Sequence, residues 1–255
     1  MLIQDTRAIV SGGASGLGLA VAELVVAAGG KVALFDVNDQ AGVDAVRKLG
    51  PAASFHKVDV TVESAVAAAV AAATTAMGGL NLAVSCAGVG WPKRMVGKEG
   101  TMPGDFFRKV IEINLVGTLL LCKEAAAVMQ RNTPNATGER GALVMTASVA
   151  AFDGQIGQVA YAASKGGVVG MTLPMARELA SSGIRVVTIA PGLFMTPMLA
   201  ALPQEARDSL GKQVPFPPRL GQPAEYAQLV GQIVENPMLN GETIRLDGAI
   251  RMAPR

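Results

Sequence analysis

Tyr161 and Lys165 stand four residues apart in Ala160-Tyr161-Ala162-Ala163-Ser164-Lys165. On a helix, residues i and i+4 share one face. A phenol placed there lies beside a permanent cation. That cation favours the phenolate and lowers a reference pKa of about 10 toward working pH. A tyrosine so tuned can take a proton from an alcohol or return one to a forming alkoxide. The same spacing is common on solvated helix faces, so the pair gains meaning only from the rest of the chain.

A second cluster lies near the start. Ser11-Gly12-Gly13-Ala14-Ser15-Gly16-Leu17-Gly18 follows a β-branched run and opens a helical pattern. Glycines there permit a tight turn and let backbone approach a phosphate, and the helix N-terminus offers free N–H groups and a positive dipole end. Asp36 closes the next apolar run, roughly 20 residues further on, where a carboxylate can accept a hydrogen bond from a ribose 2′-OH. Its charge repels a 2′-phosphate, which favours NAD over NADP.

Other chemistries are poorly supplied. His56 is the only histidine. A Ser-His-Asp triad would have to be built on it, a His-rich metal site is impossible, and no metal is expected. It lies in a strand-like run, Ser54-Phe55-His56-Lys57-Val58, and reads as structural. No Gly-x-Ser-x-Gly elbow is present. Cys86 and Cys122 sit in apolar runs and read as free thiols in a reducing compartment.

The elements that must position these groups alternate. Candidate strands span 7–10, 31–35, 54–58, 81–85, 142–146, 185–189 and 243–246. Candidate helices span 16–29, 39–49, 62–77, 105–131, 159–182 and 224–236. Several strands are apolar on both faces, as parallel strands between helix layers must be. The pattern predicts an α/β fold: a single-domain, Rossmann-type, doubly wound parallel sheet of about seven strands flanked by helices on both faces. Half of the 255 residues are hydrophobic, 16% are charged and the net charge is +2. That composition suits one large core over residues 1–255, with no nucleic-acid stripe and no disordered tail. Segments 89–104 and 132–141 read as loops. Segment 191–222 mixes prolines with apolar side chains and reads as a substrate-covering loop. The first residues lack a leader pattern, and the alanine-rich stretch 64–81 reads as a small-faced helix, so the expectation is a cytoplasmic protein without a membrane partner.

With these pieces assembled, the chain resembles the short-chain dehydrogenase/reductase family over nearly its whole length. Gly12-x-x-x-Gly16-x-Gly18 matches that family's cofactor loop, with Ser15 and Leu17 inside it. Asp59-Val60 matches the pair that holds the adenine. Ser85-Cys86-Ala87-Gly88 stands where the family usually has Asn-Asn-Ala-Gly, so Ser85 is a departure. Asn114 in Glu112-Ile113-Asn114-Leu115, Ser148 in Thr146-Ala147-Ser148, and Tyr161 with Lys165 match the catalytic set. Pro191-Gly192 and Thr196 match the segment that closes over the nicotinamide.

The resemblance implies hydride transfer between a secondary alcohol and NAD. Tyr161 would be the base, Lys165 would tune it and hold the nicotinamide ribose, and Ser148 would bind the substrate oxygen. Asn114 would hold a water linking Lys165 to solvent. Within the family, 147–152, 161–174, 189–194 and 246–252 are similar to members acting on 3-hydroxyacyl-CoA, which implies an acyl-CoA substrate and a homotetramer. Gln158, Phe194, Met195 and Leu199 are candidates for substrate contact, and Lys93, Arg94 and Lys98 for contact with CoA phosphates. Alternatives are a hydroxysteroid dehydrogenase, an NADPH-dependent 3-oxoacyl reductase, against which Asp36 argues, and a cofactor-binding scaffold, against which the intact catalytic set argues.

Overall fold

The computed structural model describes residues 1–98, 100–200 and 203–254. Seven strands form one parallel sheet: β1 (Arg7–Ser11), β2 (Lys31–Asp36), β3 (Ala53–Lys57), β4 (Leu82–Ser85), β7 (Gly141–Thr146), β8 (Ile184–Pro191) and β9 (Thr243–Leu246). Their order is β3-β2-β1-β4-β7-β8-β9. Two further short strands, β5 (Val96–Gly97) and β6 (Gly100–Thr101), pair as an antiparallel hairpin outside it. The chain starts in the middle, winds outward to β3, then returns to β4 and winds the other way. The reversal falls between β1 and β4, where an open α/β sheet parts its loops and leaves a crevice.

The sheet is buried on both faces because its strands are apolar at successive positions. All residues of β7 and β8 are buried. Successive side chains point to opposite faces. Ile9, Leu143 and Met145 accordingly pack with Val66, Val70, Leu121 and Val168. Ala8, Val10, Ala142 and Val144 pack with Val21, Val25, Tyr226 and Val230. The first layer contains α3 (Glu63–Met77), α5 (Gly117–Met129) and α6 (Val159–Leu179). The second contains α1 (Gly16–Ala27), α2 (Asp39–Leu49) and α9 (Pro223–Glu235). Each fully buried Val, Leu or Ile contributes about 1.5–3 kcal/mol against exposure.

All seven expected strands are present, with ends shifted by a few residues at most. His56 lies in β3 with its ring edge-on to Phe35, and burial lowers its pKa.

Two expectations needed correction. The helix expected over 105–131 is divided: α4 (Gly104–Ile111) passes through a π turn, Glu112–Val116, into α5. The turn carries the fully buried Asn114, whose carbonyl accepts a hydrogen bond from Thr118 Oγ1 at 2.8 Å. Gly117 follows because a Cβ there would lie 2.7 Å from Val60 Cγ2. The segment expected as a loop over 191–222 contains two helices, α7 (Pro197–Ala200) and α8 (Gln204–Lys212). Pro203 caps α8. Proline suits the start of a helix, where a missing N–H costs nothing.

Candidate active site at the sheet's C-terminal edge

A cavity of about 1030 Å³ opens over the C-terminal ends of β1, β4, β7 and β8. Its floor is the glycine loop. Gly12 and Gly16 have φ of +63° and +54°, which a side chain would resist. A Cβ on Gly12 would lie 2.7 Å from Ala87 N, and one on Gly18 would overlap the Gly12 carbonyl. The loop therefore packs backbone on backbone. It delivers the start of α1, whose first N–H groups have no partner within the helix. Gly12, Ser15, Gly16, Leu17 and Gly18 all line the cavity. This cradle fits the pyrophosphate of a dinucleotide.

Asp36 faces the same space from the end of β2. One carboxylate oxygen accepts from Ala14 N at 3.2 Å and the other from Asn38 N at 3.0 Å. Both bonds leave lone pairs for a ribose hydroxyl. Asp59 and Val60 line the cavity next to it, and Asp59 Oδ1 holds the Thr61 N–H and hydroxyl at 2.9 and 2.7 Å. Ala87 and Gly88 form the facing rim. A Cβ on Gly88 would meet Asn114 Oδ1 at 3.1 Å and Lys165 Nζ at 3.6 Å, so the small residue lets those side chains approach the rim. Ser85, which replaces the usual asparagine, is buried with its hydroxyl unpartnered among the described residues.

Ser148, Tyr161 and Lys165 come together on one wall. Ser148 caps the single turn Val149–Ala151, its Oγ accepting from Ala150 N at 3.1 Å. Burial pushes the Tyr161 phenol pKa up, and the neighbouring Ser148 hydroxyl pulls it down. Lys165 is 5% exposed. Burial lowers its pKa to about 8, opposed by nearby Cys86. Its Nζ donates to the Thr146 carbonyl at 2.7 Å and lies 5.9 Å from the Tyr161 ring centroid. The amine is bound to the end of β7, on the same wall as the phenol and the Ser148 hydroxyl.

Asn114 lies behind the wall. Its Oδ1 accepts from Val89 N at 2.8 Å, and its Nδ2 donates to Val89 O at 2.9 Å and Ser164 Oγ at 3.0 Å. Both amide hydrogens are used. The side chain clamps the exit of β4 to α6, one residue before Lys165.

Pro191, Gly192, Thr196, Gln158, Phe194 and Leu199 line the cavity. Phe194 does so while nearly buried, with its ring against Gly221. Met195 does not line it, whereas Leu193 does; the Met195 backbone N–H bonds Gly221 O at 2.8 Å. Lys93, Arg94 and Lys98 are also off the wall. Arg108 and Lys109 of α4 take that rim, with Lys109 Nζ 5.6 Å from the Trp91 ring centroid. Sequence reasoning missed Gln155, Trp91 and Met252, which also line the cavity. Gln155 stood three residues from Gln158, a detectable signal. Nothing local marked Met252.

Among the described residues, no group of three or more His, Cys, Asp or Glu side chains is placed to hold a metal, and no helix is long and apolar enough to cross a membrane.

Comparison with known proteins identifies relatives along the whole chain. The family model for short chain dehydrogenases matches residues 6–207. The 3-hydroxyacyl-CoA dehydrogenase type-2 of Homo sapiens is 52% identical over 254 residues, covering 99% of this chain and 97% of that protein. The ipsdienol dehydrogenase of Ips pini is 34% identical over 98% of each chain. The crystal structure of 3-hydroxyacyl-CoA dehydrogenase type-2 from Mycobacterium avium superposes with a TM-score of 0.92 at 42% identity, covering 99% of this chain and 98% of that one. With the glycine cradle, the serine-tyrosine-lysine wall and these full-length likenesses in hand, the chain belongs to the short-chain dehydrogenase family.

Proposed function

We propose that this oxidoreductase interconverts (S)-3-hydroxyacyl-CoA and 3-oxoacyl-CoA with NAD, in fatty-acid or branched-chain degradation. Family membership implies a nicotinamide cofactor and a small-molecule substrate. The observation that carries the reading is the convergence of Ser148, Tyr161 and Lys165 on one wall, opposite the glycine cradle and Asp36. Relatives named for 3-hydroxyacyl-CoA, 51–52% identical over the full length, support the substrate class. Asp36 supports NAD over NADP, because its carboxylate faces the space a 2′-phosphate would need.

In oxidation, a bound nicotinamide would supply the acceptor for the hydride that leaves the alcohol carbon. The protein handles the proton. Tyr161, as phenolate, accepts it from the hydroxyl. Ser148 donates a hydrogen bond to the substrate oxygen as charge shifts there. Lys165 would hold the nicotinamide ribose, and its positive charge beside the phenol would lower the tyrosine pKa. Asn114 keeps the lysine's helix in register with the cofactor rim. Leu193, Phe194 and Leu199 exclude water from the acyl side. Exposed Leu119, Val159 and Leu173 on α5 and α6 support a homotetramer, and free Cys86 and Cys122 support a reducing, cytoplasmic setting.

The test follows NADH absorbance with purified protein, acetoacetyl-CoA and a steroid ketone in parallel. Oxidation of NADH, but not NADPH, by acetoacetyl-CoA is expected. Turnover of the steroid alone would reassign the substrate. NADH binding with no turnover of either would sink the acyl-CoA reading and favour a scaffold.

A further inference from the structure

The last described residues run as a strap past the cavity, and Met252 is the one among them that lines it. After β9, Gly248 and Ala249 both have positive φ, +59° and +68°. A left-handed alanine is strained, and such strain persists only where surroundings impose it. Here Asp247 Oδ1 accepts from Ala249 N at 3.0 Å. Arg245 then knots the turn. Its Nε donates to Asp247 at 2.8 Å, and its Nη2 to Asp153 at 2.6 Å and to the Ile250 carbonyl at 3.0 Å. Its guanidinium lies 5.2 Å from the Phe152 ring centroid. Ile250 is 1% exposed and anchors the turn. Beyond it, Gln155 Nε2 donates to Ala253 O at 2.9 Å and Ile156 N to Pro254 O at 3.0 Å.

The strap is thus tied at both ends to residues 152–156, the segment joining Ser148 to Tyr161. Between the ties, Met252 lines the cavity beside Gln155 and Gln158. A strained turn, an ion-pair knot and two hydrogen bonds serve to hold one flexible apolar side chain against the site. Methionine fills irregular space and adapts its shape.

We propose that the strap 247–254 is the wall against which the substrate's acyl chain ends, and that Met252 sets the longest chain accepted. The inference rests on the acyl-CoA reading above.

The experiment compares wild type, Met252→Ala and Met252→Trp. Each is assayed with acetoacetyl-CoA and 3-oxodecanoyl-CoA, and in parallel with 2-butanone and 2-decanone. NADH binding, followed by fluorescence, checks the fold and cofactor site. The ratio of kcat/KM for the long over the short substrate should rise about tenfold in Met252→Ala and fall about tenfold in Met252→Trp, the scale of a changed apolar pocket. NADH affinity should not move. An unchanged ratio in both variants, with NADH bound, overturns the inference. Activity on the ketones alone removes the acyl-CoA reading and leaves the wall to stand or fall on the ketone ratio. Silence on both series sinks both.

Discussion

Lys165 is held in the fold against its own charge, and that is measurable without any substrate. Burial lowers its pKa from 10.5 to about 8. In the unfolded chain it regains the higher value. At about 1.36 kcal/mol per unit, the buried charge costs the folded state about 3 kcal/mol at pH 7. The sign follows from proton counts. Between pH 8 and 10.5 the unfolded chain binds more protons than the folded one, so stability attributable to this residue rises with pH. By pH 10 the cost has shrunk to about 1 kcal/mol. Lys165→Met removes the titration. It also loses the bond to Thr146 O, but that loss is independent of pH and cancels when two pH values are compared. Urea denaturation of both proteins, purified free of nucleotide, should therefore show wild type gaining about 2 kcal/mol on the variant between pH 7 and pH 10. The variant should also have lost turnover. Stability curves that run parallel across that range would refute the buried, depressed lysine.

Three further outcomes are expected. Tyr161→Phe should keep NADH binding and lose about 10²–10⁴ of kcat, the usual worth of a positioned acid-base group, as read by initial rates. Asp36→Ala should raise the ratio of NADP to NAD utilisation by about tenfold, since a hydrogen bond from ribose to a charged group contributes about 1.5–3 kcal/mol. Titration with each nucleotide checks it. Gly12→Ala should weaken NADH binding and lower stability by about 2 kcal/mol or more, from the left-handed backbone and the 2.7 Å approach to Ala87 N, as seen by fluorescence titration and denaturation.

What was legible in the sequence was local. The glycine loop announces itself because glycine suits the φ at 12 and 16 and the backbone contacts at 12 and 18. The strands show as short apolar runs because helices cover both faces. Tyr161 and Lys165 show because helical spacing alone sets their shared face. What was hidden depends on partners far along the chain. The π turn at 112–116 belongs to Asn114, whose amide bonds reach residues 25 and 50 positions away. The lysine's acceptor, the Thr146 carbonyl, is contributed by another element, so spacing revealed the face but not the bond. Met252 reaches the site only because β9 pairs with β8 and Arg245 folds the strap back onto Asp153. Helix α8 is mostly polar and flanked by prolines, so its stretch lacked an apolar stripe to mark it.

The Asn114 clamp ends at Val89. Val89 is fixed to Asn114 by two hydrogen bonds and Asn114 to α6 by a third, and backbone beyond Val89 runs into the exposed strands β5 and β6. The clamp divides inheritance from invention. Residues up to 89 carry the glycine loop, Asp36 and the Ala87–Gly88 rim, whereas the hairpin stands outside the main sheet. A library randomised over 92–98 is the natural starting point for giving this scaffold new alcohols to oxidise.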